Sequence, residues 1–208
     1  MKSLVHIDKL VLCTTNHGKT NELRNALGGR VELLDLKDVR IMGELPETGN
    51  SFGENALQKA RYVFDRCGIP CLADDSGLEV KALDGAPGVF SARYAGPMRK
   101  DRDNVQKLLD DLGEIGDRQA RFRTVLALVM KDRVKLFEGI VEGRIGTRPI
   151  GTGGFGYDPI FIPHGHDRTF AQMTLEEKNG LSHRAQAMAK LMEWLSTHPL
   201  TTHTAPPK

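Results

Sequence analysis

Residues 119–145 constrain the fold of this chain more than any other stretch. Gln119 to Met130, QARFRTVLALVM, alternates at first and then becomes wholly apolar, the pattern of a central strand. Arg133 to Ile145 reads as a second long strand, and the short turn between them predicts a hairpin. The N-terminal part has a different character. Lys9 to Thr14 reads as a strand, and a helix starts near Gly18 with Leu23, Ala26 and Leu27 on one face. Gly28-Gly29 should end it, and Val31 to Leu36 gives another strand. Strand, polar turn, helix and strand open an α/β protein. A chain with both features is α/β with a mixed β-sheet, flanked by helices.

The remaining helices follow from caps and periodicity. Ser51 and Glu54 have capping-box spacing before a helix reaching about Cys67, with Phe52, Ala56, Ala60, Val63 and Cys67 on one face. Asn55 and Lys59 share another face, where a lysine is ordinarily solvated. Asp101 to Leu112 turns Val105, Leu108, Leu109 and Leu112 inward. Thr174 to Lys178 suggests one helical turn. Ser182 caps a last helix to about Thr197, burying Ala185, Met188, Leu191, Met192 and Leu195. With no repeat and no linker, residues 1–197 read as one domain, and 198–208 as a disordered tail.

Composition excludes several classes of function. A net charge of +2, from 29 basic and 27 acidic residues, argues against a nucleic-acid polymer as partner, because a phosphate backbone demands a basic face. A small phosphorylated ligand needs only a few local cations. Cys13, Cys67 and Cys71 form neither a disulfide framework nor a zinc set, which suits small core residues in a reducing cytosol. The apolar run in MKSLVHIDKLVLC is too short for a signal peptide, and no segment is long enough to span a bilayer, so a cytoplasmic location is expected.

The chemistry concentrates in LADDSGLEVKALDGAPGVFSARYAG, residues 72–96. A short strand, Pro70 to Ala73, is expected to end on Asp74 and Asp75. Neighbouring strand residues face opposite ways, so both carboxylates can serve one site only if the strand breaks there, which Gly77 would permit. Paired carboxylates suggest a divalent metal, a general base, or both; a solvated Asp-Asp-Ser-Gly turn is the competing reading.

Two glycine motifs fail as nucleotide signatures. Gly18-Lys19-Thr20 resembles the end of a P-loop, but Cys13 stands where that motif needs glycine. A weaker phosphate site survives in Thr14, Thr15, Asn16, the helix N-terminus and Lys19, with simple capping by Thr15 or Asn16 as the alternative. A lysine in a first helical turn opposes the helix dipole, which capping does not explain. Gly151, Gly153 and Gly156 match G-x-G-x-x-G, but a turn and the strand-like PIFIP follow where a dinucleotide site needs a helix. Phe155 and Tyr157 there could stack on a flat ring or serve the core. Glu47 lies in a long loop. His183 and Arg184 open the last helix, where an anion or acceptor nearby would account for them.

Six motifs in order resemble the inosine triphosphate pyrophosphatase family from about Lys9 to about Leu195. They are Thr15-Asn16-x-x-Lys19-x-x-Glu22, Glu47-Thr48-Gly49, Phe52-x-Glu54-Asn55-Ala56-x-x-Lys59-Ala60, Ala73 to Gly96, Gly151 to Pro159, and Ser182-His183-Arg184. The resemblance implies an elongated fold of two lobes around a cleft, a homodimer, and a magnesium requirement that Mn²⁺ could also meet. It implies hydrolysis of inosine, deoxyinosine and xanthosine triphosphates to monophosphate and pyrophosphate, which cleanses the nucleotide pool. By position, Asp75 resembles the proton acceptor, and Glu47, Asp74 and Asp75 the magnesium cluster. Thr14, Thr15, Asn16, His17, Gly18, Lys19, Ser76, Phe155, Gly156, Tyr157, Asp158, Lys178, His183 and Arg184 resemble substrate contacts. Lys59 would join Lys19 against the phosphate charge. Hypoxanthine and xanthine present an oxygen at position 6 where adenine presents an amino group, so donors on Arg184 or His183 would discriminate, with Phe155 stacking on any purine. A phosphohydrolase cutting the β–γ bond and a nucleotide-binding regulatory module are the alternatives.

Overall fold

The computed structural model describes residues 9–27 and 31–197. The expected Gly28-Gly29 helix stop and the 198–208 tail lie outside them. Six strands form one mixed sheet in the order β2-β1-β3-β4-β5-β6. Strands β1 (Lys9–Leu12), β2 (Glu32–Leu34) and β3 (Cys71–Val80) are parallel to one another, and helix α1 (His17–Leu27) crosses from β1 to β2. From β3 onward the sheet is antiparallel through β4 (Gln119–Met130), β5 (Arg133–Ile145) and β6 (Phe161–Pro163). Both β4 and β5 have the predicted bounds, and their hairpin is the mixed element the sequence demanded.

The expected break at Asp74-Asp75 does not occur. Strand β3 runs on to Val80, paired with β4 at every residue from Cys71↔Val129 to Val80↔Ala120. Gly77 serves close packing rather than a turn. A Cβ there would stand 2.4 Å from the Gly88 carbonyl oxygen and 2.5 Å from Ser91 Oγ. Asp74 and Asp75 therefore face opposite sides of a continuous strand.

That alternation organises the interior. On one face, Leu72, Leu126 and Leu128 join β1, α1 and α5 (His183–Thr197) in one apolar cluster. Leu78, Val80, Ala120 and Phe122 on the same face join α3 (Asp101–Leu112), Phe161 and Phe170 in another. Asp74, Ser76 and Thr124 form a polar belt between them. On the other face, Cys71, Ala73, Ala127 and Val129 pack under α2 (Phe52–Cys67). Buried Cys13 and Cys71 belong to that core as expected, and all three cysteines are free thiols.

Helix α2 has the predicted start, with Ser51 Oγ accepting from the Glu54 amide, and ends on Gly68 in the left-handed conformation. The expected turn at 174–178 is the short helix α4 (Leu175–Asn179), capped by Thr174. Among the described residues, no helix is long and apolar enough to cross a membrane.

Candidate active site

The site opens where β1 stops. The Cys13 amide donates to the Leu72 carbonyl at 2.8 Å, after which the chain turns into α1 and the edge of β3 lies bare. The next carbonyl on that edge, at Asp74, accepts from Lys59 Nζ at 2.8 Å. A cleft of about 350 Å³ follows this edge, lined by groups from β3, α1, α2, the Glu47 loop, the 151–158 segment and α5.

Lys59 is buried, contrary to the ordinary expectation for a helix-face lysine. Its ammonium also donates to Glu47 Oε1 at 2.6 Å and to Asp75 Oδ1 at 3.0 Å. Burial disfavours this cation, but Asp75 and Glu47 outweigh burial and raise its pKa. Glu47 is held low against the upward push of burial, chiefly by Lys59. Burial raises the Asp75 pKa in spite of Lys59 and Lys19. Asp75 Oδ2 is buried with no hydrogen-bond partner.

The opposite face of β3 carries a second network. Asp74 accepts from Ser76 Oγ at 2.6 Å, Thr124 Oγ1 at 3.0 Å and Arg184 Nε at 2.7 Å, and pairs with Lys19. Burial opposes its ionisation, yet Arg184 and Lys19 hold it well below the usual carboxylate range. Arg184 also donates to Ser76 Oγ at 3.1 Å and pairs with Glu22. Glu22 in turn accepts from Lys178 at 3.2 Å, and Lys178 donates to Asp158 at 2.7 Å. Burial pushes Asp158 up despite Lys178. The anions expected near Arg184 are thus Asp74 and Glu22, and Lys19, expected to meet a phosphate, pairs with Asp74.

His183 stacks on Phe122, with ring centroids 4.8 Å apart and planes 8° from parallel. Burial and the neighbouring Arg184 hold the imidazole well below its ordinary pKa, so it is neutral, and Nδ1 has no partner. Phe155 is half-buried beside Lys178 and Arg184, whose charged groups lie 4.7 and 5.8 Å from its ring centre. Gly18 permits this: a Cβ there would stand 2.8 Å from the Phe155 ring. Tyr157 is not available for stacking. It lies in the core, and its hydroxyl donates to the Ser91 carbonyl at 2.9 Å.

Fifteen of the expected residues line this one cleft: Thr14, Thr15, Asn16, Lys19, Glu47, Lys59, Asp75, Ser76, Phe155, Gly156, Tyr157, Asp158, Lys178, His183 and Arg184. His17 and Gly18 do not line it, and Asn16 Oδ1 caps α1 by accepting from the Lys19 amide at 3.1 Å. The expected cluster of three metal-binding carboxylates does not assemble, because continuous pairing turns Asp74 away from Glu47 and Asp75. Among the described residues, no three His, Cys, Asp or Glu side chains converge on a point that could hold a metal. Glu47 and the unpartnered Asp75 oxygen do fit a hard cation whose other positions come from water or a ligand.

A sequence profile of the Ham1 family matches residues 10–194. The chain belongs to the Ham1 family. A relative from Christiangramia forsetii, a dITP/XTP pyrophosphatase, is 50% identical over 90% of this chain and 99% of its own. One from Porphyromonas gingivalis, likewise a dITP/XTP pyrophosphatase, is 49% identical over 91% of this chain and 98% of its own. Among solved structures, a Ham1 protein from Coxiella burnetii shares the fold with a TM-score of 0.85 and 39% identity, covering 91% of this chain and 99% of that one.

Three participants in the Ham1 site carried no assigned role in the sequence reading. Glu22 stands three residues after Lys19, on one helix face, inside a motif already noted. Thr124 interrupts the apolar face of β4. Arg93, in the 3₁₀ segment Gly88–Arg93, lines the cleft from its far wall.

Proposed function

We propose that this protein hydrolyses inosine, deoxyinosine and xanthosine triphosphates to the monophosphate and pyrophosphate, removing deaminated purines from the nucleotide pool. The observation that carries the reading is the pair Asp75–Lys59 on the bare edge of β3. A carboxylate with raised pKa and a buried, unpartnered oxygen borders a cleft that also holds an aromatic face and buried cations.

Phe155 holds the purine, and the neutral His183 offers its imidazole to the base edge. Arg184 has three nitrogens engaged by Asp74, Glu22 and Ser76. It therefore acts on the base less directly than its donor count suggests, and its first effect is to fix Asp74. Lys19 and Lys59 meet the phosphates. Asp75 takes a proton from the attacking water, and the bond to the pyrophosphate leaving group breaks. Glu47 and Asp75 would hold Mg²⁺, or Mn²⁺ in its place. When bound, it neutralises phosphate charge and polarises the phosphoryl oxygen. A homodimer and a cytoplasmic location complete the proposal.

A panel of nucleoside triphosphates tests it by both phosphate products. Inosine and xanthosine triphosphates should release pyrophosphate, with ATP and GTP far slower. Chelation should abolish turnover, and Mg²⁺ should restore it. Orthophosphate as the primary product would place cleavage at the β–γ bond instead. Absence of turnover with a full complement of Mg²⁺ would leave a binding module.

A further inference from the structure

We propose that Arg93 forms the binding site for the terminal phosphates, the part of the substrate that leaves as pyrophosphate. This rests on the reading above and adds a residue to it.

The first observation is a shortage of positive charge. Lys19, Lys59, Lys178 and Arg184 are held in close ion pairs by five carboxylates, Glu22, Glu47, Asp74, Asp75 and Asp158, whereas Arg93 stands at a looser 3.6 Å from one of them, Glu47. Each of these cations is already in an ion pair. A triphosphate brings roughly four further negative charges. A divalent cation offsets only part of that, so the ligand requires cations from elsewhere along the cleft.

The second observation is what surrounds Arg93. Ser91 Oγ accepts from the Leu78 amide at 2.9 Å and donates to the Gly88 carbonyl at 2.6 Å. Buried Asn104 donates to the Ala92 carbonyl at 3.2 Å and accepts from the Ala95 amide at 2.8 Å. Tyr94 donates its hydroxyl to Asp111. Residues on both sides of Arg93 are thus fixed, and its own carbonyl accepts from the Gly96 amide at 2.9 Å, whereas its guanidinium makes no hydrogen bond to any described residue. Its guanidinium lies 5.2 Å from the centre of the Phe90 ring and 3.6 Å from Glu47 Oε2. A rigid segment presents five N–H donors, matched to phosphate geometry, to the cleft.

Position decides which phosphates it would meet. Phe155 lies beside Arg184, which holds Asp74; the Asp74 carbonyl holds Lys59; Lys59 holds Asp75 and Glu47; and Arg93 stands beyond Glu47. With the base on Phe155 and the reacting phosphorus at Asp75, the remaining phosphates extend toward Arg93.

Calorimetry in Mg²⁺ buffer separates this role from a structural one, with inorganic pyrophosphate and inosine monophosphate as the two probes. Arg93→Ala should weaken pyrophosphate binding about ten- to a hundredfold, as expected for loss of charge-assisted hydrogen bonds. Inosine monophosphate affinity should change less than twofold. Arg93→Gln, which keeps length and loses charge, is read the same way should Arg93→Ala not fold. The proposal is overturned if the parent protein does not bind pyrophosphate, or if the loss for pyrophosphate is not at least fivefold greater than that for the monophosphate. A parent that releases pyrophosphate from inosine triphosphate while its Arg93 variants fail this test keeps the activity and loses the site. A parent without turnover whose pyrophosphate binding still depends on Arg93 does the reverse.

Discussion

Asp75→Asn is expected to lower kcat by about 10²–10⁴-fold, the usual contribution of a positioned general base, with little change in melting temperature. The local geometry separates the two effects. Lys59 would keep an acceptor in the asparagine oxygen, along with Glu47 Oε1 and the Asp74 carbonyl, and lose only the charge of one partner. The oxygen that the amide nitrogen would replace, Oδ2, has no partner, so no hydrogen bond is broken there. Only the capacity to take a proton disappears. Burial raises the Asp75 pKa, and the base must be ionised to act. The acid limb of kcat/KM in the parent should therefore lie above the ordinary carboxylate range, with activity lost as pH falls through it. Steady-state kinetics and thermal unfolding of both proteins check this. A variant that melts like the parent and turns over comparably would remove Asp75 from the chemistry.

The same residue shows where sequence reading succeeds and where it stops. Long elements were legible because periodicity and caps agree: β4 and β5 have the predicted bounds, and α2 starts on its Ser51 cap, although Glu54 reaches back to the Asn50 amide and does not close the capping box. The strand carrying Asp75 was misjudged because Asp-Asp-Ser-Gly has turn composition. Tertiary pairing overrides that preference. Strand β4 offers ten partners in register, and the contacts that would clash with a Cβ at Gly77 occur 11 and 14 residues downstream. No local signal contains that information.

Within the site, residue identities were more legible than their partners. Spacing placed Lys59 on a helix face but could not show that the face lies against a bare strand edge. Tyr157 and Phe155 are equivalent in sequence terms, two aromatics in a glycine-rich segment. Both border the cleft, but only the folded chain buries Tyr157 with its hydroxyl on the Ser91 carbonyl and leaves the Phe155 ring half-exposed. Glu22 and Arg184 are 162 residues apart, and their pairing follows from the packing of α1 beside α5. Thr124 did have a signal, since Phe122, Thr124, Leu126 and Leu128 occupy one face of β4 and only the threonine is polar.

Asp74→Asn should have the opposite outcome from its neighbour, a loss of stability of about 3–5 kcal/mol, as found when one partner of a buried ion pair is removed. For a chain of this size that is a drop of about 6–20 °C in Tm. Every group around Asp74 donates: Ser76 and Lys19 to Oδ1, Thr124 and Arg184 to Oδ2. An asparagine has one acceptor oxygen, so its amide would turn N–H groups toward one of those donor pairs. Arg184 would keep Glu22, but Lys19 would lose its carboxylate partner in a place where burial, Lys59 and Arg184 already disfavour its charge. The pH dependence has a definite sign. Asp74 has a folded pKa well below its ordinary value of 3.8, so its contribution is complete above that value and is lost as pH falls toward the folded pKa. The gap in Tm between parent and variant should therefore be constant near neutrality and shrink only in strong acid. Turnover should fall as well, through misplaced Arg184 and Lys19. A variant that keeps the parent's Tm at pH 7 would show that the polar belt contributes nothing to holding the two apolar clusters together.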